Sequence, residues 1–165
     1  MAIASSPLTA LSALDGRYHR QVAPLREVFS ELALMRLRVV VEIEWLKALS
    51  FEPTIPEISS FSAVTVAELD ALVASFSEGV GAAIKEIEAR CTLDVKAVEY
   101  FLREKLKDNA EIAKAAEFIH FGCTSEDVNN LCHGLMLRKG RDEVLLPALD
   151  RVIERLRELA REEAA

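Results

Sequence analysis

Two short stretches of the sequence carry polar side chains that could bind an anion. The first, His120-Phe-Gly-Cys-Thr-Ser-Glu-Asp127, places the hydroxyls of Thr124 and Ser125 at a predicted helix start. The first backbone N–H groups of a helix have no partner within it, so such a start can hold a phosphate or a carboxylate. The alternative is that Thr124 only caps the helix, and spacing alone favours that simpler interpretation.

The second stretch, Asp15-Gly-Arg-Tyr18, lies near the beginning of the sequence. Arg17 offers a planar guanidinium fork and Tyr18 a phenol, a pairing suited to bidentate recognition of a phosphate. Taken by itself, the stretch is equally well explained as a surface turn.

Other chemistries have weaker support. The close glycine pair Gly79-Val-Gly81 lacks the third glycine of a dinucleotide-binding loop, and no P-loop motif is present. Cys123, Cys132 and His133 have no second pair at zinc-finger spacing, so we predict no metal site. Cys123 is the candidate for a nucleophilic thiol, which would require a lowered pKa.

Composition and charge narrow the class of protein. With 20 Lys and Arg against 27 Asp and Glu, the net charge is −7 and the basic residues are interleaved with acidic ones, which argues against nucleic acid as a partner. No apolar run approaches the roughly 20 residues of a membrane span. Met1 to Leu14 lacks the basic start of a signal peptide, and the 3 cysteines form no CxxC pair. We expect a cytoplasmic protein with reduced thiols.

Apolar periodicity predicts an all-α fold with no strands. From Pro24 to Leu49 two apolar rows recur at three- and four-residue steps, which predicts one helix buried on more than one side. A loop is predicted from Ser50 to Val64, and Thr65-Val-Ala-Glu68 has the pattern of a capping box that would open the next helix. Another helix is expected from Ser77.

The second half of the sequence predicts three more helices. Asp94 is suited to cap a helix through Lys107, a shorter helix runs to about Ile119, and Gly122 suits a left-handed stop. The last helix carries an apolar stripe stepping by four and three residues, which is typical of a helix bundle and needs partner helices: Leu145, Leu149, Val152, Leu156 and Leu159. Its pattern continues to Ala165 without a stop signal.

Three motifs in this order resemble the bacterial-type adenylosuccinate lyases of the fumarase/aspartase superfamily: Asp15-Gly-Arg-Tyr18, Asp94-Val-Lys-Ala-Val-Glu-Tyr100 and Phe118 to Asn130. The resemblance covers essentially the whole chain but only the N-terminal portion of such an enzyme. It implies an N-terminal helical domain over residues 1–122 and the start of a long-helix bundle domain over 123–165. It also implies self-association into a homotetramer, a small purine-nucleotide substrate and no cofactor.

The reaction implied by the resemblance is a β-elimination. It releases fumarate from adenylosuccinate, leaving AMP, and from the succinyl-carboxamide ribotide of purine biosynthesis. A base takes a proton from the carbon beside a carboxylate while an acid protonates the departing nitrogen. By resemblance, the serine and the histidine that do this lie beyond Ala165, so we expect no catalytic residue in this chain and no activity from it alone.

What the resemblance assigns to this chain is substrate binding. Arg17 and Tyr18 are expected to contact the nucleotide phosphate region. Asp94, with Thr92 and Leu93 before it, is expected near the nucleotide.

The helix-start motif is expected to bind the other end of the substrate. Thr124 and Ser125 would hold the succinyl or fumarate end, and His120 would support the site. The alternative for His120 is a ring satisfied by its own turn. His19 and His133 lie outside the motifs and are expected on the surface or in the bundle.

Leu93 departs from the family pattern, which has histidine at this position. An isobutyl group neither donates a hydrogen bond nor carries charge, so a polar ligand facing it would lose a partner worth about 1–3 kcal/mol. An inactivating change, a divergent paralogue and substitution by another group remain open.

Two other functional classes remain. One is a non-catalytic oligomerisation or nucleotide-binding module that keeps the lyase scaffold and associates through the stripe from Leu145 to Leu159. The other is an enzyme acting on a different substrate of the superfamily, although the wording of the Asp94 motif points to the purine branch.

Overall fold

The computed structural model describes Ser6 and residues 8–164, and the regular structure within them is helical. Its α-helices are α1 (Ala23–Phe29), α2 (Glu31–Phe51), α3 (Ala63–Ala74), α4 (Glu78–Cys91), α5 (Asp94–Leu106), α6 (Ala110–Lys114), α7 (Ser125–Lys139) and α8 (Leu146–Glu163). A 3₁₀ turn spans Ala116–Phe118, and a π-helical segment spans Gly140–Leu145. No strand occurs among the described residues, which confirms the all-α prediction. None of these helices is long and apolar enough to cross a membrane.

The described residues form two compact units. The first unit draws on the described residues up to Ala33 and on those from Met136 onward, and the second is Leu34–Leu135. This division reflects compactness within one chain and does not test the predicted domain boundary after residue 122, which stays a prediction.

Helix α2 supplies much of the core of the second unit. Its first apolar row is almost fully buried from Met35 to Leu46, and its second row packs partly buried against Val95 of α5 and Val128 and Cys132 of α7. Each buried Leu or Ile side chain stabilises the fold by about 1.5–3 kcal/mol. The prediction of a helix buried on more than one side is confirmed.

The single helix predicted from Pro24 to Leu49 is wrong at one point, because the helix is interrupted at Ser30. The backbone of Ser30 is extended, with φ −73° and ψ 161°, and it separates α1 from α2. The Ser30 hydroxyl oxygen accepts the Ala33 N–H at 3.2 Å, which is the hydrogen bond of a helix N-cap. Ser30 and the acidic Glu31 after it favour a new helix start, although the apolar pattern continues through this point.

The predicted capping box at Thr65 to Glu68 is also wrong, since α3 begins earlier in the chain. Ser62 is its N-cap and its side chain accepts the N–H of Thr65. Thr65 and Glu68 instead both accept hydrogen bonds from the Asn109 amide, at 3.2 and 2.6 Å. These polar residues therefore tie α3 to the start of α6, where Asn109 is the N-cap.

The boundary between α4 and α5 differs from the prediction as well. Asp94 is the first helical residue of α5, not its cap, and Leu93 holds the N-cap position without a side-chain hydrogen bond. The preceding residue, Thr92, ends α4 with a left-handed backbone at φ 61°. The predicted helix start at Ser77 is confirmed, because Ser77 is the N-cap of α4.

The turn before α7 contains two left-handed residues. Gly122 has φ 69°, which confirms the predicted left-handed conformation, and His120 has φ 63°. Only Thr92 and His120 among the described non-glycine residues have positive φ, and both are predicted site residues.

The apolar stripe of the last helix is exposed in the single chain. Leu149, Val152 and Leu156 have relative exposures of 57%, 57% and 60%. The described residues therefore leave the stripe uncovered, and its predicted need for partner helices stays a prediction. Ala165 lies outside the described residues, as do residues 1–5 and Pro7.

We predict that Thr92→Gly raises the free energy of unfolding of the chain by about 0.5–1 kcal/mol, because a β-branched residue is strained at positive φ whereas glycine is not. Thr92 is exposed, and its hydroxyl makes one local hydrogen bond, to the Cys91 carbonyl at 2.7 Å. Chemical denaturation measures the change. Thr92→Val is the matched control: it keeps the branched side chain and should give no gain. An unchanged or lower stability for the glycine variant would contradict the strain.

Candidate substrate-binding site

The predicted site residues divide between the two units. Arg17 and Tyr18 belong to the first unit, and the others belong to the second: Thr92, Leu93, Asp94, His120, Thr124 and Ser125. In the first unit the Arg17 guanidinium carbon lies 5.5 Å from the centroid of the Tyr18 ring, a cation–π contact. Both side chains are exposed, and Arg17 forms no ion pair with a described carboxylate. The fork is therefore free to accept an anion.

In the second unit, a polar row on α2 contacts two of the predicted site segments. We define this row as Arg38, Glu42 and Trp45, which follow one another at four- and three-residue steps on one helix face. Arg38 and Glu42 are buried, with 6% and 1% exposure. Four residues correspond to about 6 Å of helix rise, so the two side chains lie one turn apart.

Arg38 fixes the start of α5. Its Nη2 donates to Oδ2 of Asp94 at 2.5 Å, while its Nε donates to Oδ1 of Asn129 on α7 at 3.0 Å. The other oxygen of Asp94, Oδ1, accepts the N–H of Val95 at 2.8 Å. A buried guanidinium must be paired to offset its desolvation, so this fork ties α5 and α7 to α2.

Glu42 and Trp45 fix the turn before α7. Nδ1 of His120 lies 2.6 Å from Oε1 of Glu42, and the Trp45 indole N–H donates to the Phe121 carbonyl at 2.9 Å. Burial raises the pKa of Glu42, and the neighbouring His120 partly offsets that rise. The alternative that His120 is satisfied by its own turn is wrong, because its partner lies 78 positions away on α2.

The start of α7 carries a reciprocal capping box. The backbone N–H and the hydroxyl of Thr124 both donate to Oδ2 of Asp127, at 2.7 and 2.8 Å. The Asp127 N–H donates back to the Thr124 hydroxyl at 3.3 Å. These bonds, from the Thr124 backbone first, lower the pKa of Asp127. Thr124 thus caps the helix, as the simpler interpretation had it, whereas Ser125 is exposed and its hydroxyl has no described partner.

Leu93 points to solvent next to the strained Thr92. Its side chain is 60% exposed, and it supports no core packing at the start of α5. A polar side chain would therefore fit at position 93 with little loss of packing.

An apolar groove of about 450 Å³ lies beside the turn, between α2 and α7 of the second unit. Cys123, Asp127 and Glu42 line its edge. Burial, and then the charges of Glu42 and Asp127, raise the pKa of the Cys123 thiol. Burial also raises the pKa of Cys132, to about 11. These directions disfavour a thiolate, so they argue against Cys123 as a nucleophile.

The described residues contain no group of three His, Cys, Asp or Glu side chains that could hold a metal ion. The cysteines at 91, 123 and 132 are free thiols.

Sequence reasoning did not single out Arg38, Glu42, Trp45 or Asn129. Arg38 and Glu42 gave a signal, because both are charged residues placed between the apolar rows of a helix predicted to be buried on more than one side. A charge in such a position needs a partner from a distant segment. Asn129 lies inside the third motif, but its type alone did not mark it as the acceptor for Arg38.

Comparison with known proteins agrees with these motifs. The chain is 54% identical over 157 residues to adenylosuccinate lyase of Haemophilus influenzae, with 95% of this chain and 34% of the relative covered. It is 51% identical over 155 residues to that of Escherichia coli strain K12, with 94% and 34% covered. It is 38% identical over 157 residues to that of Legionella pneumophila strain Corby, with 95% and 34% covered.

The chain therefore spans about a third of the length of the curated relatives it matches. A family model described as Lyase matches residues 16–165. That range includes the Arg17 fork, the α2 polar row and the turn before α7. The chain belongs to this lyase family.

Proposed function

We propose that the chain is the N-terminal part of an adenylosuccinate lyase and supplies substrate-binding residues for the β-elimination of fumarate. The similarity along nearly the whole chain to proteins of that name carries the proposal. The bonds of Asp94 and His120 to the buried Arg38 and Glu42 of α2 support it, since Asp94 and His120 both belong to the motifs of the resemblance. The products would be AMP from adenylosuccinate and the carboxamide ribotide from its succinyl precursor.

In this proposal the two ends of the substrate meet different residues. Arg17 and Tyr18 bind the phosphate region, and Asp94, with Thr92 and Leu93, lies near the nucleotide. Ser125 and Thr124 bind the succinyl or fumarate carboxylates, with His120 supporting them. The Asp127 carboxylate now accepts both donors of Thr124, so a substrate carboxylate would take its place there.

The proton-transfer groups belong, in this proposal, to the part of the relatives that this chain does not span. The chain alone then binds without turnover, requires no cofactor and works in the cytoplasm. The second candidate function is a non-catalytic module. The exposed Leu93, which offers a substrate no hydrogen bond, is the observation for it, but the similarity to adenylosuccinate lyases favours the first function.

We expect no fumarate release when the chain alone is incubated with adenylosuccinate, because the base and the acid are supplied elsewhere. Ultraviolet absorbance of fumarate measures the reaction, and the full-length Escherichia coli relative is the positive control. Turnover by the chain alone would contradict the proposed division of binding and proton transfer.

We expect AMP to bind the chain and Arg17→Gln to weaken that binding roughly 10-fold, because one charge-assisted hydrogen-bond pair is lost. Isothermal titration calorimetry measures the affinity. Arg20→Gln removes the same charge from an exposed residue three positions away and should change little. Absence of AMP binding to the unaltered chain would contradict the proposed nucleotide site and favour a module that serves oligomerisation alone.

We expect the chain to self-associate with rising concentration, because association removes the exposed apolar stripe of α8 from contact with water. Sedimentation velocity measures the association. Leu149→Arg combined with Leu156→Arg should shift the chain toward monomer, whereas Val64→Arg, at an exposed position of α3, should not. A strict monomer at high concentration of the unaltered chain would contradict a role for the stripe in assembly.

A further inference from the structure

Glu42 is a buried carboxylate in contact with a predicted site residue. Its side chain is 1% exposed, and its Oε1 lies 2.6 Å from Nδ1 of His120. Its second oxygen, Oε2, is buried and has no hydrogen-bond partner among the described residues. The polar contacts of the carboxylate among the described residues therefore come from one residue, His120.

The His120 ring presents its other edge to the surroundings. The side chain is 18% exposed, and Nε2 makes no hydrogen bond to a described residue. Because Nδ1 faces the buried carboxylate, Nε2 is the ring atom left to meet a ligand. The contact that orients the ring is that of Nδ1 with Glu42, whereas the Trp45 indole bonds the neighbouring Phe121 carbonyl and not the ring.

The number of protons on the Glu42–His120 pair determines whether Nε2 of His120 is a hydrogen-bond donor or an acceptor. When the pair carries two protons, Nε2 bears a hydrogen whether the second proton resides on Nδ1 or on Glu42. When one proton is lost, the carboxylate keeps the hydrogen on Nδ1, and Nε2 becomes an acceptor. An anionic ligand at Nε2 can bind the first state and is repelled by the lone pair of the second.

The titratable groups around the Glu42–His120 pair are carboxyl groups and thiols, together with Arg38. From α5, the charge of Glu99 raises the pKa of Glu42, as does burial, which is the larger cause. From α7, Asp127 interacts with His120, and Cys132 interacts with both Glu42 and Arg38. From the turn itself, Cys123 interacts with Glu42 and Asp127. Arg38, one turn away on α2, is committed to Asp94 and Asn129.

We propose that Glu42 is a positioning residue that holds Nδ1 of His120 inward, so that Nε2 takes up a proton when a carboxylate or phosphate binds at this ring edge. The inference rests on the proposed function, because it assigns the anionic ligand to the same site. One proton passes from the solvent to Nε2 for each ligand bound, and no bond between heavy atoms forms or breaks. The protonated His120 ring then supplies a positive charge next to the ligand, whereas Arg38 is already paired with Asp94.

The first test is the tautomer of neutral His120 in the full chain without ligand. Long-range proton–nitrogen NMR spectra distinguish a hydrogen on Nδ1 from one on Nε2, and His120→Asn assigns the signals among the 3 histidines. We expect the Nδ1–H form. In Glu42→Gln we expect it to lose its preference, because an amide can donate to Nδ1 as well as accept from it.

Trp45→Phe is the matched control for the tautomer. It removes the other hydrogen bond that α2 makes to the turn but leaves the carboxylate in place. We expect this variant to keep the Nδ1–H form. An Nε2–H form in the unaltered chain, or an equal loss in Trp45→Phe, would overturn the positioning role, whether or not a ligand binds.

The second test measures proton uptake on binding. Calorimetric titrations with fumarate and with AMP, repeated in buffers of different ionisation enthalpy, give the number of protons taken up per ligand. We expect a value on the order of one for the unaltered chain at a pH where the ring is neutral, and near zero for Glu42→Gln. Binding without uptake overturns the inference alone. A confirmed Nδ1–H form with no binding of either probe overturns the proposed function and, with it, the ligand-linked uptake.

Discussion

The polar row of α2 buries two opposite charges one turn apart, and each charge is joined to a different segment of the second unit. A buried charge that loses its partner destabilises a protein by about 3–5 kcal/mol, so Asp94 and His120 are both held firmly at α2. Apolar packing around Val39 and Ile43 would allow α5 and the turn to shift along α2. The directional bonds of Arg38 and Glu42 remove that freedom.

The same bonds account for where backbone strain is found. Thr92 and His120 have left-handed backbones, at φ 61° and 63°, and each lies within two residues of a bond to the α2 row or forms one. Such conformations cost on the order of 1–3 kcal/mol and persist only where the surroundings fix them. Here the fixing bonds come from a helix that is itself held by its buried apolar row. Helix packing thus offsets strain at the site.

The sequence predicted the elements better than the links between them. Apolar periodicity is a local signal, so the burial of α2 and the left-handed Gly122 could be predicted. The helix break at Ser30 could not be predicted. Ser30 lies inside the apolar repeat, and the repeat alone gives no sign that its side chain caps α2. The contacts of Arg38 with Asp94 and of Glu42 with His120 span 56 and 78 positions. Such contacts leave no periodic signal, and only a charge on an apolar face hints at them.

The charged groups of the second unit are largely paired with one another, which limits how this unit can bind an anion. Arg38 is neutralised by Asp94, and Asp127 accepts both hydrogen-bond donors of Thr124. An incoming carboxylate would therefore have to displace Asp94 or Asp127 to bind either group. In a chain of net charge −7, a second fixed positive charge at this place would be drawn into a further ion pair in the absence of ligand. An imidazole avoids that competition, because it can stay neutral until an anion arrives. A buried carboxylate behind it, with one oxygen unpaired, is the group that stabilises the charged ring at that moment.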